Sequence, residues 1–514
     1  MSLSFVVLSL SSCTKVQSWW QARQEIEWRK DGMESALAEA KKTNRPLFVY
    51  WGAIWCPPCN VLKAKVFPDS DFKQAVSSFI PVYLDGDTES AQLWGEKLNA
   101  SGYPTLMVLN SAGKEVVRLS TNVSATEIAE VLKDAYNVLS PVPELLREIK
   151  NGARKPGPEE WRLLSRYSWD QDPAFDELRA EWGESLWSLK EQIPESSGAE
   201  KARLGLVSLR LRLGEGLEKK KLSLAQKAEF LAWLEKLFQQ EGLLPELVGE
   251  LSGLAGSIHS GLFEEKEKRA RLEFGQNYKR MMRNILQSPK VSWDMRLNAL
   301  YPAIDLAQTD EKSFPLSDEE KQTVVDECEK ALAAAAKKEQ RVAVVSDVSY
   351  YLGEVGQPGR ARDILKSEME KGLNPYYMMS GLAYLENKAG NKQEALDWHK
   401  QAYQKAEGRA TRIQWGGKYL KYLVEVKPED KAGIMAELKS FYTDNLKTSD
   451  AFMGRNKRVL DKLRKSLVKW GEERKSGSEL QALAKNQDQE HCSQQRVGFT
   501  ETYLSSCKEY FKGF

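Results

Sequence analysis

The sequence has few of the residues that build metal centres, with three histidines and six cysteines among its 514 residues. A structural zinc site needs four ligands. Cys56 and Cys59 are closely spaced, but the sequence has no second close pair, and His259, His399 and His491 are remote from them along the chain. We therefore expect no metal site and no cofactor.

The sequence also lacks a large excess of one charge, a long apolar run and a familiar catalytic motif. The 75 basic and 73 acidic residues give a net charge of +2, so no nucleic acid partner is expected. No apolar run approaches the roughly 20 residues that a membrane-spanning helix needs. No glycine-rich phosphate-binding loop and no Ser-His-Asp arrangement is more evident in the sequence than chance would produce. The composition, 41% hydrophobic and 29% charged, is that of an ordinary globular protein.

Residues 1–20 have the pattern of an export signal. An apolar segment, Ser4 to Leu10, runs into Leu10-Ser11-Ser12-Cys13, which resembles the lipobox of bacterial lipoproteins. That resemblance implies a lipid anchor on Cys13 at the periplasmic side of the cell envelope, and Thr14 favours the outer membrane. No Lys or Arg precedes the segment, unlike a secretory signal, so a stray apolar N-terminus on a cytosolic protein is the alternative.

The most informative motif is Trp55-Cys56-Pro57-Pro58-Cys59. It follows an apolar run predicted to be a buried strand, Pro46 to Trp51, and opens a predicted helix, Asn60 to Phe67. A Cys-x-x-Cys pair at a strand-to-helix corner is typical of redox sites. The helix N-terminus favours a thiolate on the first cysteine, and the thiolate is the nucleophile of disulfide exchange.

The segments around this motif alternate between strand and helix patterns over residues 22–140. Pro104, in Gly102-Tyr103-Pro104-Thr105, lies 45 residues after Cys59. Thioredoxin-like proteins have a cis-proline at this point of the chain, so a resemblance to them implies that the peptide bond before Pro104 is cis, which is uncommon. A plain trans turn is the alternative. The other predicted elements are a strand at 25–28, a helix at 33–42, a helical turn at 71–77, a strand at 79–85, a helix at 88–98, strands at 105–109 and 115–119, and a helix at 125–136.

This order of elements, with the two motifs, resembles the α/β fold of the thioredoxin-like family over about 115 residues. It looks most like the C-terminal periplasmic domain of the membrane thiol:disulfide interchange transporter. The resemblance implies that Cys56 attacks the disulfide of a client protein and that Cys59 resolves the mixed disulfide. It implies that Trp55, Tyr103 and Pro104 line the client groove, and that a membrane electron donor reduces the pair again.

The sequence departs from the thioredoxin pattern at Tyr50, where thioredoxins carry a buried Asp. A phenol with a pKa near about 10 is a poor base, so we expect the proton of Cys59 to move through water. Pro58 lacks an N–H and favours a reducing couple, whereas Pro57 matches oxidising relatives. A reductant or isomerase-like role is favoured over an oxidant, and the sequence leaves the direction open. A catalytically silent thioredoxin fold is the alternative to redox activity.

The remainder, residues 150–514, is predicted to be a large all-α region. Tyr350, Gly356 and Ala361 recur 34 residues later as Tyr384, Gly390 and Ala395. This period resembles the tetratricopeptide repeat, over about residues 340–445, although two unrelated helical hairpins are the alternative. Such a solenoid leaves a surface on which other proteins dock.

Three further cysteines and one basic segment lie in this region. Cys492 and Cys507 can form a structural disulfide in an oxidising compartment. Cys328 lies on an amphipathic helix and is expected to be buried and inert. The segment from Arg455 to Lys475 has nine basic and three acidic residues, and we expect a solvated helix face or a surface for anionic lipid.

Together these features predict a thiol-disulfide oxidoreductase of the bacterial cell envelope that acts on client proteins. The alternative is a helical-repeat scaffold lipoprotein whose redox domain senses or positions without catalysis.

Overall fold

A computed structural model describes the chain from residue 25 to residue 514, with gaps. The described residues are 25–30, 32–119, 124–172, 179–213, 222–264, 266–335, 338–371, 374–492 and 501–514. The predicted signal segment and Cys13 lie outside these residues.

The N-terminal part of the chain forms a five-stranded mixed sheet with the strand order β1-β3-β2-β4-β5. The strands β1, β3 and β2 are parallel, and β4 and β5 are each antiparallel to the preceding strand in that order. This arrangement is a thioredoxin-like fold, as predicted. The strands are β1 Arg29–Lys30, β2 Leu47–Gly52, β3 Ile80–Asp85, β4 Thr105–Leu109 and β5 Glu115–Leu119.

Strand β2 is at the centre of the sheet, and all six of its residues are buried. Its side chains alternate between two hydrophobic clusters, because successive residues of a strand point to opposite faces. Val49 and Trp51 belong to one cluster, and Phe48 and Tyr50 belong to the other. The helices of this part of the chain are Met33–Thr43, Pro57–Val61, Ser70–Val76, Glu89–Lys97 and Ala125–Val138, with a π-helical turn at Leu62–Val66.

Most of the predicted elements of this part are present within one or two residues. The strands β4 and β5 have the predicted bounds, and the helix after Ser124 begins at Ala125 with a complete capping box. The first strand was predicted at 25–28 but lies at Arg29–Lys30. Its two residues pair with Val82 and Tyr83 of β3, so this edge is set by pairing rather than by an apolar pattern.

The remainder of the chain is a large all-helical region, as predicted. Its described α-helices are Val142–Lys150, Pro158–Arg166, Arg179–Leu189, Gly198–Leu213, Leu224–Phe238, Val248–Ser252, Ala255–Gly261, Lys268–Leu286, Trp293–Thr309, Asp318–Ala334, Lys338–Glu354, Pro358–Glu370, Pro375–Lys388, Lys392–Lys405, Arg409–Val426, Lys431–Asn445, Gly454–Glu473, Gly477–His491 and Glu501–Lys512.

The 34-residue repeat corresponds to two successive helical hairpins. Gly356 and Gly390 each have a positive φ, 81° and 84°, at the turn between the two helices of their hairpin. Ala361 and Ala395 are both fully buried in the second helix of each pair. The repeated residues therefore occupy equivalent positions, and the tetratricopeptide assignment stays a prediction.

The C-terminal helices return to the sheet domain. The helix Lys338–Glu354 packs on the helix Pro57–Val61, and the helix Gly454–Glu473 packs on the helix Glu89–Lys97. One hydrophobic cluster runs from Phe48 and Leu106 of the sheet to Trp415 and Phe441 of the helical region. The region predicted as a docking platform for a client protein, or as a brace for the redox domain, thus packs directly against the domain that carries the Cys-x-x-Cys motif.

Candidate active site

The two cysteines lie at the start of the helix Pro57–Val61, which we call the redox helix. Cys56 is its N-cap residue, and the backbone N–H of Cys59 donates a hydrogen bond to Cys56 Sγ at 3.3 Å. Pro57 fits here because the first N–H groups of a helix have no intrahelical partner. The Asn60 side-chain amide stabilises the turn before the helix by donating hydrogen bonds to the carbonyls of Ile54 and Cys56 at 3.2 and 3.1 Å. Both thiols are free, so the site is in its dithiol form.

The predicted cis peptide bond, Tyr103–Pro104, is present next to this helix. Tyr103 packs on Trp51 with ring centroids 4.4 Å apart and on Trp55 at 5.9 Å. Its hydroxyl accepts a hydrogen bond from Gln92 and donates one to the carbonyl of Gly86. The structure therefore brings together Trp55, Tyr103 and Pro104, the three side chains predicted to line a client groove.

Helices of the C-terminal region cover this groove. The Trp55 indole N–H donates to Thr411 Oγ1 at 2.6 Å, and its ring lies 6.0 Å from Tyr377 and 5.7 Å from Trp415. The Arg455 guanidinium lies over the Tyr103 ring at 4.6 Å. Trp55 is consequently only 6% exposed. The surface that would receive an extended client segment is occupied by the protein's own helical region.

Asp87 joins the two parts of the chain by capping the helix Arg409–Val426, which we call the capped helix. Its carboxylate accepts hydrogen bonds from Thr411 N and Thr411 Oγ1, both at 2.7 Å. A carboxylate at a helix N-terminus satisfies free N–H groups and interacts favourably with the helix dipole. Burial nevertheless raises the pKa of Asp87 to about 6, against the lowering effect of the Thr411 hydrogen bonds.

Both cysteines of the motif are buried. Cys56 is 2% exposed and Cys59 is fully buried. Burial, with the neighbouring Cys59 thiol, raises the pKa of Cys56 well above its ordinary value, and the backbone N–H of Cys59 and the charge of Arg455 offset this only in part. The helix N-terminus favours the Cys56 thiolate, but desolvation under the helical region outweighs it.

Tyr50 and Lys63 act on the second cysteine. Burial alone would raise the pKa of Cys59, but hydrogen bonding with Cys56, the backbone of Ala53 and the proximity of Tyr50 and Lys63 bring it below its ordinary value. Burial raises the pKa of Tyr50 well above its ordinary value. Tyr50 is therefore a neutral phenol at neutral pH, as expected from its poor basicity, and it cannot accept the proton of Cys59.

The remaining cysteines are placed away from the redox helix. Cys492 and Cys507 form a disulfide. Cys328 is fully buried, as predicted, and burial raises its pKa to about 12, which disfavours a thiolate. Within the described ranges, no group of three or more His, Cys, Asp or Glu side chains is arranged to hold a metal ion. None of the described helices is both long and apolar enough to cross a membrane.

Sequence reasoning missed the residues that cover the site. Asp87, Thr411, Tyr377, Trp415 and Arg455 were not singled out for this role, and the contact between Asp87 and Thr411 spans 324 residues. Asp87 follows strand β3, where a polar residue is unremarkable, and the others lie on helices with ordinary patterns. The basic helix Gly454–Glu473 was expected to face solvent or lipid, but its N-terminal turns pack on the sheet domain because Gly454 N donates to Glu96 and Arg455 N to Gln92.

Comparison with known families agrees with the geometry of the first domain. A family model described as thioredoxin-like matches residues 27–111. The match includes the redox helix and the cis-proline and covers the sheet as far as β4. The chain therefore contains a thioredoxin-like domain, and a Cys56–Cys59 pair in this setting supports a redox function.

Proposed function

We propose that the protein is a thiol-disulfide oxidoreductase that exchanges disulfides with client proteins through Cys56 and Cys59. The observation that carries the proposal is the hydrogen bond from Cys59 N–H to Cys56 Sγ, at 3.3 Å, at the start of a helix that faces a cis-proline. A backbone donor aimed at a sulfur stabilises the thiolate, which is the attacking species.

The reaction transfers two electrons from the dithiol to the client. The Cys56 thiolate attacks one sulfur of the client disulfide, a bond forms between them, and the other client sulfur leaves as a thiolate and takes up a proton. The Cys59 sulfur then attacks Cys56 Sγ and loses its proton to water. This step forms the Cys56–Cys59 disulfide and releases the second client thiol. We propose that a membrane-borne dithiol donor reduces the pair again.

The covered site requires the helical region to move before a folded client reacts. A client segment that pairs with the backbone near Tyr103 needs the space that Tyr377, Trp415 and Arg455 occupy. Polar contacts between the helical region and the sheet domain include a cluster at Asp87, Thr411 and Trp55. Others join the start of the helix Gly454–Glu473 to Gln92 and Glu96. We propose that the present conformation is the closed form of the enzyme and that the open form exposes Cys56.

Reduction of insulin disulfides in the presence of dithiothreitol tests the proposal. We expect turnover by the wild-type protein, loss of all turnover in Cys56→Ser, and accumulation of a mixed disulfide in Cys59→Ser. Cys328→Ser is the matched control, because it removes a thiol outside the site and should retain activity. Equal rates for wild type and Cys56→Ser would remove the enzymatic proposal.

A second candidate function is favoured by the burial of Cys56. A thiol that is 2% exposed under a domain interface also suits a scaffold protein in which the redox state of the pair positions the helical region. Under this hypothesis, oxidation of the pair changes the interface and no client disulfide is reduced. Small-angle scattering of reduced and oxidised protein, together with absent insulin turnover, would favour the scaffold over the enzyme.

We further propose that the protein is a lipoprotein of the cell envelope, on the periplasmic side, with the outer membrane favoured. The Leu10-Ser11-Ser12-Cys13 segment supports this, and so does the Cys492–Cys507 disulfide, since disulfides persist in oxidising compartments. Metabolic labelling with palmitate tests the location. Label should enter the wild-type protein and be lost in Cys13→Ala, and equal labelling of both would contradict the anchor.

The direction of electron flow follows from the reduction potential of the pair. We propose a reductant or isomerase-like role, supported by Pro58, which removes a backbone donor from the redox helix. Equilibration with glutathione measures the potential. A value near about −270 mV would support a reductant, and a value near about −120 mV would indicate an oxidant.

A further inference from the structure

A cavity of about 380 Å³ lies beside the redox site, between the capped helix and the helix Gly454–Glu473. Its volume falls in the range of small-molecule pockets, roughly 300–1,000 Å³. Ser101, two residues before Tyr103, is part of its wall, and the other lining side chains belong to the helical region. A ligand in this cavity would touch both parts of the chain.

The charge of the lining is strongly one-sided. Among the described residues that line the cavity, Glu425 is the only one with a carboxylate, against five cationic residues. Within the described part of the chain, these five cations form no salt bridge. Three of them donate hydrogen bonds to uncharged groups: Lys418 to Ser380, Arg455 to Gln414 and Arg458 to the carbonyl of Ala100. They come from consecutive turns of two packed helices, so they converge on one volume. The five cations are Lys418, Lys421, Arg455, Arg458 and Lys462.

Two buried polar groups at the cavity lack partners. His399 is 7% exposed, and its Nδ1 has no hydrogen-bond partner among the described residues. Burial, with the nearby charge of Lys418, lowers the pKa of His399 to about 3, so its ring is neutral. Nε of Arg458 is also buried and unpaired in the described structure. Both atoms are enclosed in the wall rather than exposed to the cavity, so the class of ligand is set by the charged groups of the lining.

We infer that this cavity is a binding site for a small polyanion that carries two or more carboxylate or phosphate groups. Guanidinium groups bind both kinds of group in a forked geometry, and the lysines add point charge. Arg455 contacts the cavity and also lies over Tyr103, so the bound ligand sits next to the cover of the redox site. By contacting Ser101 and the helical region together, the ligand stabilises the closed form.

Isothermal titration calorimetry of the full chain with pyrophosphate and with citrate tests the inference at low salt. The two probes distinguish phosphate from carboxylate groups, and acetate serves as the singly charged comparison. We expect pyrophosphate or citrate to bind at least tenfold more tightly than acetate. Lys421→Glu and Lys462→Glu should each weaken that binding by about tenfold or more, since a charge-assisted contact is replaced by repulsion.

Lys439→Glu is the matched control, because Lys439 is an exposed helical lysine that does not line the cavity. It should leave the affinity within about twofold of wild type. Cys56→Ser should also bind normally, so this result is independent of the proposed redox function. Circular dichroism verifies that each variant is folded.

A second readout follows the link to the redox site. A saturating concentration of the anion that binds should slow alkylation of Cys56 by iodoacetamide in the wild-type protein and should not slow it in Lys462→Glu. The inference is overturned if neither soluble polyanion binds, including the case in which only phosphatidylglycerol vesicles bind. It is equally overturned if Lys421→Glu and Lys462→Glu bind as tightly as Lys439→Glu.

Discussion

At the scale of single residues, the reactivity of Cys56 is decided by two opposing effects. The N-terminus of the redox helix and the Cys59 N–H stabilise a thiolate on this sulfur. Burial opposes the charge, and in the closed form burial prevails and raises the pKa of Cys56. The same side chain is therefore a weak nucleophile while covered, and it becomes a stronger one when the helical region moves away.

Tyr50 offers a direct test of the second thiol. Tyr50→Phe keeps the ring packing against Phe67 and Tyr83 but removes a hydroxyl that helps to lower the pKa of Cys59. We expect the pKa of Cys59 to rise and the resolution of mixed disulfides to slow. The pH dependence of thiolate absorbance near 240 nm in Cys56→Ser with and without Tyr50→Phe measures the change, and coincident curves would contradict it.

Asp87 makes the stability of the closed form depend on pH. Its pKa is about 6 in the closed form and 3.8 ordinarily, so the closed form binds the proton more tightly. The closed form therefore becomes more stable, by roughly 2–3 kcal/mol, as pH falls from about 6 to about 4, and it loses this stability as pH rises through the same window. Asp87→Asn should lack this part of the pH dependence.

Urea unfolding of wild type and Asp87→Asn between pH 4 and 7 measures the difference. The free energy of unfolding of the wild type relative to the variant should increase on acidification through the window. A difference that is constant over this range would contradict the role of Asp87.

At the scale of elements, the capped helix is the part that closes the redox site. Its N-terminus faces Asp87, and Gly408, just before the helix, has φ of 89°. A Cβ at Gly408 would lie 2.4 Å from the Asp87 carboxyl carbon. Glycine at position 408 therefore allows Asp87 of the sheet domain to lie close to the start of the capped helix.

Gly408→Ala should loosen this contact. The backbone at Gly408, with φ 89° and ψ 149°, lies in a region that is essentially restricted to glycine, so we expect a loss of about 1–3 kcal/mol. We also expect a faster alkylation of Cys56, because the Asp87 carboxylate must move. Gly390→Ala is the matched control, since its φ is 84° but nothing lies within 4 Å of the added carbon. Only Gly408→Ala should accelerate alkylation, and equal rates for the two variants would contradict the closing role.

The C-terminal helices carry a second stabilising link. The Cys492–Cys507 disulfide joins two residues that are 15 positions apart in the sequence, and both cysteines are buried. Loss of a link over such a loop costs about 3 kcal/mol in the chain-entropy account. We expect the double variant Cys492→Ser and Cys507→Ser to unfold at lower urea concentration than wild type. An unchanged midpoint would show that the link contributes no stability.

The elements that were predictable from the sequence are those set by local pattern. The strands β4 and β5 alternate or are continuously apolar, and the Cys-x-x-Cys corner follows from spacing, whereas the cis bond at Pro104 was predicted from the family resemblance. Strand β1 was misplaced because its two residues are exposed and are held only by pairing with β3. The cover of the site was not predictable, since Asp87 and Thr411 are 324 residues apart and each has an ordinary local context.

At the scale of the whole molecule, the helical region packs directly against the redox domain and covers the candidate active site. One hydrophobic cluster includes Cys56, Trp55 and Tyr50 of the first domain and Trp415 of the capped helix. The burial of these aromatic side chains contributes more to the free energy that holds the two parts of the chain together than the polar contacts at Asp87 do. Motion of the helical region away from the redox domain would therefore expose apolar surface.

The central claim is that Cys56 forms a covalent bond to a client sulfur. Incubation of Cys59→Ser protein with insulin, followed by mass spectrometry of non-reduced peptides, tests it most directly. We predict an adduct in which an insulin chain is joined to Cys56 by a disulfide. Recovery of only unmodified Cys56, under conditions in which dithiothreitol reduces insulin slowly, would contradict the account.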